Sequence, residues 1–252
     1  MKIPHNTRFN NLRSLVTIST STTTTPTKNP PSLWMAAWMK DRDRFDAVWD
    51  AADAADATGT TGTTGTTASS AHVHERRDLA FAENEHGWNA LHHACVHNQT
   101  HMIQQLLAED FGCELAATSV RNGWRPLHYA CGFGQQESVD LLLTMGDADL
   151  EVNNDKSYAC MGFTPFHRAI RWWLSPGKPN CIGHLLKVGV NAAALTEDGK
   201  TAAHIANPEV HEALDEKLLQ HLATRPDSVN ADSVRRLRTE LKLVQEQWAT
   251  MS

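Results

Sequence analysis

Four segments of one pattern constrain this chain more than anything else in it. They are Gly87-Trp88-Asn89-Ala90-Leu91-His92-His93-Ala94, Gly123-Trp124-Arg125-Pro126-Leu127-His128-Tyr129-Ala130, Gly162-Phe163-Thr164-Pro165-Phe166-His167-Arg168-Ala169 and Gly199-Lys200-Thr201-Ala202-Ala203-His204-Ile205-Ala206. The aligned histidines His92, His128, His167 and His204 stand 36, 39 and 37 residues apart. A tandem unit of this size cannot bury its own apolar face, so successive copies must stack on one another.

Each position in the segment has a physical reason. The glycine can take positive φ in a tight turn. Thr164 and Thr201 suit a helix N-cap, and Asn89 is an acceptable substitute. Pro126 and Pro165 fall at the first helical position, where a missing N–H costs nothing. The histidine then sits where its ring can bond back toward the cap. The alanine two residues later lets a neighbouring helix approach closely. Arg125 is a poor cap, and no local rule accounts for it.

A second helix follows the first in each copy. Its apolar stripe is Met102, Ile103, Leu106 and Leu107, then Val139, Leu141, Leu142 and Leu143, then Ile182, Leu185 and Leu186. Asn98 and Gly134 mark the turn between helices, and Gly146 and Gly189 the end of the second helix.

Motif, period and stripe together resemble the ankyrin repeat family over residues 78–222. The resemblance implies an all-α solenoid of stacked helix-turn-helix units with hairpin-like loops. It also implies a partner protein held by loop tips and by the exposed, concave face of the first helices. At the loop tips these positions are His86, Trp88, Arg121, Asn122, Trp124, Met161, Phe163, Asp198 and Lys200; on the first helices they are His93, His97, Tyr129, Phe133, Arg168, Arg171 and Trp172. Trp, Arg and Tyr dominate interface hot spots, which favours this set. The competing reading is that Trp88, Trp124 and Phe163 only pack one loop against the next. Trp172 and Trp173, an apolar pair beside an insertion, are either a local plug or an anchor for a partner.

The copies are not identical. The third carries extra residues between its helices, within Trp172-Trp173-Leu174-Ser175-Pro176-Gly177. The loop between the second and third is lengthened around Asn153-Asn154-Asp155-Lys156-Ser157-Tyr158, and the last copy is short, with Asn207-Pro208 starting its second helix early.

Outside the repeats, residues 1–31 read as a disordered tail or a transit segment, rich in Ser, Thr and Pro and free of acids. Residues 32–56 form a helical hairpin with Trp34, Ala37, Trp38, Phe45, Val48, Trp49 and Ala52 at helical spacing, a candidate N-terminal cap; Asp41 or Asp43 could start its second helix. Residues 57–77, with three Gly-Thr-Thr units, read as a flexible insertion. Residues 223–252 comprise a linker and an amphipathic helix. Its stripe of Val234, Leu237, Leu241, Val244 and Trp248 either docks on the last repeat or pairs with a partner as a short coiled coil.

Charge and motifs narrow the function. Lys2, Arg8, Arg13, Lys28 and Lys40 are the only charged residues before position 41, while the net charge of the whole chain is -6. The rest of the chain is therefore strongly acidic, which argues against nucleic acid as a partner. No long apolar run points to a membrane. Five cysteines without CxxC spacing argue for an intracellular, reducing compartment, cytoplasmic unless residues 1–40 direct import. No P-loop, GxSxG, kinase or HExxH motif is present. The expectation is a monomeric, non-catalytic scaffold without cofactor or metal. Two alternatives remain. One is a regulatory or targeting subunit of an enzyme complex. The other is a metal-dependent enzyme using histidines such as His93 and His97, four apart on one helix.

Overall fold

A computed structural model describes residues 32–54, 76–118, 120, 123–151 and 162–251, all within the unit Pro31–Ser252. The tail, the Gly-Thr-Thr insertion and residues 152–161 lie outside the described residues. Among the described residues there are helices and loops and no strand. The helices are α1 Leu33–Met39, α2 Arg42–Ala54, α3 Ala90–Val96, α4 Thr100–Leu107, α5 Gly112–Ala117, α6 Pro126–Phe133, α7 Gln136–Thr144, α8 Pro165–Trp172, α9 Ile182–Val188, α10 Ala202–Ile205, α11 His211–Thr224 and α12 Ala231–Met251. Residues 76–81 are also helical.

The first helices α1, α3, α6, α8 and α10 pack side by side in chain order, and α4 packs on α7 behind them. Ala94 and Ala130 are fully buried between neighbours, as close helix approach requires. Side-chain caps start α3 and α8, whereas Thr201, expected to cap α10, accepts no backbone N–H among the described residues and turns its hydroxyl to Glu240. Asn89 Oδ1 accepts from His92 N at 3.1 Å, and Thr164 Oγ1 accepts from His167 N at 3.4 Å. Each histidine ring answers: His92 Nδ1 accepts from Asn89 N at 3.4 Å and His167 Nδ1 from Thr164 N at 3.3 Å. At Arg125 only the return half of the box forms, His128 Nδ1 accepting from Arg125 N at 3.2 Å. A guanidinium has no acceptor to offer the helix, so Pro126 and the histidine start α6 without a side-chain cap.

The loops before these helices share one register. Asn84 N donates to Trp88 O, Val120 N to Trp124 O and Thr196 N to Lys200 O, at 3.0, 3.0 and 2.9 Å. Gly87, Gly123, Gly162 and Gly199 turn the tips at φ between 72° and 79°.

Asn98 takes φ 54° at the turn between α3 and α4 and joins the first repeat to the second. Its Oδ1 accepts from Ser138 Oγ at 2.8 Å, and its Nδ2 donates to Glu137 Oε2 at 2.8 Å. Gly134 holds the same place in the second repeat at φ 74°. A Cβ on Gly134 would stand 2.8 Å from the backbone of Asn180. Gly134→Ala should therefore cost about 2–4 kcal/mol, from left-handed strain and a forced backbone shift. Gly177→Ala, where a Cβ meets nothing within 4 Å, should change stability by less than about 0.5 kcal/mol. Denaturant midpoints of the two variants check the contrast.

One expectation needs correction, one pair of alternatives is resolved, and one element is added. Gly146 is not a left-handed helix terminator. Asp147 takes the positive φ, 46°, and Gly146 is small because a Cβ would lie 2.9 Å from Leu142 O. The short helix α5 follows α4 where the repeat pattern shows none; its Leu115 and Ala116 are buried in the core. Asp41 rather than Asp43 starts α2, accepting from Arg44 N at 3.0 Å.

The chain closes on itself at its C-terminal end. Val234, Leu237 and Leu241 of α12 are fully buried against α10 and α11, and Val244 is nearly so. Asn230 Nδ2 bonds Leu186 O at 2.9 Å and Val190 O at 3.1 Å, Thr201 Oγ1 donates to Glu240 Oε2 at 2.5 Å, and Arg238 pairs with Asp215 at 2.6 Å. The stripe is used within the chain up to Val244, and only Trp248, 47% exposed, extends beyond it.

Candidate protein-binding face

Stacking the first helices in register places equivalent side chains in rows. One row runs through Trp34, His93, Tyr129, Arg168 and Ile205. A second, four residues later on each helix, runs through Trp38, His97, Phe133 and Trp172. Neighbouring helices lie about 8–10 Å apart, so the second row crosses roughly 30 Å.

The first row is the floor. His93 is buried, with Trp34 stacked over it at 5.9 Å and Trp88 at 5.1 Å. Its Nε2 lies 3.2 Å from Asn84 Nδ2. Tyr129 is buried under Trp88, ring centroids 4.4 Å apart. Arg168 is 4% exposed, its guanidinium carbon 4.1 Å from the Trp124 ring, 4.0 Å from the Trp172 ring and 5.7 Å from that of Tyr129. Cation–π contacts of this kind hold a guanidinium where water is excluded. Gly132 makes room for it: a Cβ there would meet Arg168 Cγ at 3.1 Å.

The second row is the surface. Trp38 is 46% exposed, while His97, Phe133 and Trp172 are half-buried. Phe133 and Trp172 rings lie 6.0 Å apart across the α6–α8 seam. Cations border this row: Lys40 lies beside His97, and Arg171 directly precedes Trp172 on α8, both exposed.

The residues named from the sequence therefore separate. His86, Arg171, Asp198 and Lys200 are exposed; Trp88, His97, Phe133 and Trp172 are half-buried. His93, Trp124, Tyr129, Phe163, Arg168 and Trp173 are buried, so they shape the face from beneath and are not available as first contacts. The Trp124 and Phe163 rings meet edge-on at 6.2 Å, joining one loop to the next. Arg121, Asn122 and Met161 lie outside the described residues. At the last loop tip Lys200 Nζ pairs with Asp198 at 2.5 Å, and Lys200 and Thr196 hold the Asp198 carboxyl down to about 2. Trp34 and Trp38 were absent from the sequence-derived set because no loop motif precedes α1. Their four-residue spacing, the same as His93 to His97, carries the signal.

Burial lowers His93 to about 3 and His97 to about 4, with neighbouring positive charge adding to the effect. Among the described residues, no group of three His, Cys, Asp or Glu side chains converges as a metal site. A shallow cleft lined by Lys187, Arg225, Asp227 and Asn230 lies away from the two rows. The Asn230 amide there is engaged with backbone carbonyls. No helix among the described residues is long and apolar enough to cross a membrane.

A family model described as ankyrin repeats (3 copies) matches residues 70–154 and 116–192. No curated protein matches the chain.

Proposed function

Because the chain belongs to the ankyrin-repeat family, whose members mediate protein–protein interaction, we propose that it is a non-catalytic binding module that holds a partner protein across its first-helix face. The observation that carries this reading is the second row. Trp38, Phe133 and Trp172 present aromatic surface in register over a floor fixed by Arg168 and Tyr129. Rigid aromatic groups backed by a packed layer are what interface hot spots use. The free, mostly buried thiols Cys95, Cys131 and Cys181 support a reducing, intracellular site of action.

Trp38 and Trp172 are the residues to remove, since neither is fully buried. Each truncation should weaken a bound partner about 30-fold, the equivalent of a 2 kcal/mol hot spot. The Trp38→Ala, Trp172→Ala double variant should keep its helical circular dichroism and lose the partners captured by the wild-type chain. Retention of every captured partner by a folded double variant would overturn the assignment of this face. The alternative of a targeting subunit acting through the C-terminal helix is less well supported, because α12 spends its stripe on α10 and α11.

A further inference from the structure

The insertion in the third repeat has a feature that partner binding does not use. Nine residues, 173–181, separate α8 from α9, against three between α3 and α4 and two between α6 and α7. Within them Ser175-Pro176-Gly177-Lys178 places a hydroxyl directly before a proline and three residues before a cation. A protein kinase whose pocket after the acceptor offers no partner for a backbone N–H favours proline, which has none. Lysine three residues on suits an acidic group on the same enzyme.

The structure separates this Ser-Pro from the other described instance of the pattern. Thr164 is 2% exposed and Pro165 is buried; the Thr164 hydroxyl serves the α8 cap, and no kinase can reach it in the folded chain. Pro176, Gly177 and Lys178 are exposed, and a Cβ on Gly177 would meet nothing within 4 Å, so the loop tip stands in open space. Among the described residues Ser175 Oγ makes no hydrogen bond. Ser175 itself is half-buried; Lys178 N bonds Ser175 O at 3.1 Å, and Asn207 Nδ2 to Leu174 O at 3.0 Å and Asn180 Nδ2 to Lys178 O at 3.3 Å hold the two sides of the turn. Opening a surface bond of this kind costs on the order of 1 kcal/mol, and none of the three belongs to α8 or α9, so the segment can extend into an active site while both helices stay formed.

We propose that Ser175 is a phosphorylation site for a proline-directed serine/threonine kinase. The Ser175 oxygen attacks the γ-phosphorus of ATP, the new O–P bond forms as the bond to ADP breaks, and the hydroxyl proton passes to the kinase base. The product carries nearly two negative charges on the turn that holds Lys178, with Arg171 four residues before it in sequence; both cations are exposed and make no ion pair among the described residues. It would also stand three residues from Trp172, at the border of the proposed face. The site stands on the loop itself and does not depend on what the face binds.

The test uses the full chain, a cyclin-dependent kinase and ATP, with a Ser-Pro-x-Lys peptide in the same tube to show that the enzyme is working. Mass spectrometry should find phosphate on Ser175 and none on Thr164. Ser175→Ala should remove that phosphopeptide, and Pro176→Ala should do the same while leaving the hydroxyl in place. Phosphate on the control peptide with Ser175 unmodified in the folded chain would overturn the proposal. Equal labelling of Ser175 in the Pro176→Ala variant would overturn the proline-directed assignment. The tail sequence Thr25-Pro26-Thr27-Lys28 has the same pattern and is scored as a separate peptide.

Discussion

Lowering the pH from 7 to 5 should remove about 6 kcal/mol of stability, enough to unfold a chain of ordinary stability near 5–15 kcal/mol. The main cause is three buried histidines held neutral in the fold, and half-buried His97, also lowered to about 4, acts in the same direction. Burial pushes His92 and His93 down to about 3 and His167 down to about 4, from an ordinary value of 6.5. In the unfolded chain the same rings take up protons as pH falls below 6.5, so the unfolded state binds more protons and gains relative to the fold. Their contribution is fully present above 6.5 and is lost progressively as pH falls toward the folded values. At pH 5 each ring is about 1.5 units below its unfolded value and still neutral when folded, a cost of about 2 kcal/mol apiece. Asp198, at about 2 when folded, starts to lose its contribution only near its ordinary 3.8, below this window, whereas Glu151, raised by burial, is relieved as pH falls and opposes part of the slope. Urea midpoints measured every half unit from pH 7.5 to 5 check the slope. His93→Gln should flatten it by about one proton's worth, because that ring lies outside the capping boxes. A midpoint that stays constant over the range would show that these rings are protonated in the fold.

The three rings also show what the sequence made legible. His92 and His167 were readable as cap partners because a capping box is local: donor and acceptor lie three residues apart on one helix start. His93 was not. Its place one residue on is a surface position in a generic repeat. Here Trp34 of α1 and Trp88 cover it, and both come from other elements. The same division runs through the face. The stacked first helices, the loop register and the second-helix stripes followed from patterns within one repeat. Whether Trp88 or Trp124 reached solvent did not, because the answer lies in the next repeat. Trp124 is covered by Arg168 and Phe163, whereas Trp88 is only partly covered by Tyr129. Gly146 was misread for a related reason. A glycine at a helix end is as well explained by crowding as by a left-handed turn, and only the neighbour Ala116 distinguishes them.

The adjacent tryptophans of the third repeat carry the second large prediction. Trp173 is 2% exposed, sits in the main core and lies under Lys217 of α11, whose Nζ is 5.7 Å from its ring. Trp173→Ala should therefore cost about 3–5 kcal/mol. Its backbone N–H, bonded to Ala169 O and Ile170 O at 3.2 Å, survives the change, so the loss is one of packing alone. The indole N–H is buried and has no acceptor among the described residues. An unsatisfied donor of this kind costs about 1–3 kcal/mol, so Trp173→Phe should recover most of the loss by removing it. Trp172→Ala should cost only about 0.5–2 kcal/mol, the worth of its cover over Arg168. The two positions then separate in a paired measurement. Trp173→Ala should lower the urea midpoint sharply, while Trp172→Ala should lower it by a smaller step and weaken partner capture. The opposite pattern, an unstable Trp172→Ala with an intact Trp173→Ala, would mean that the insertion presents Trp173 to the partner and that Trp172 is the plug.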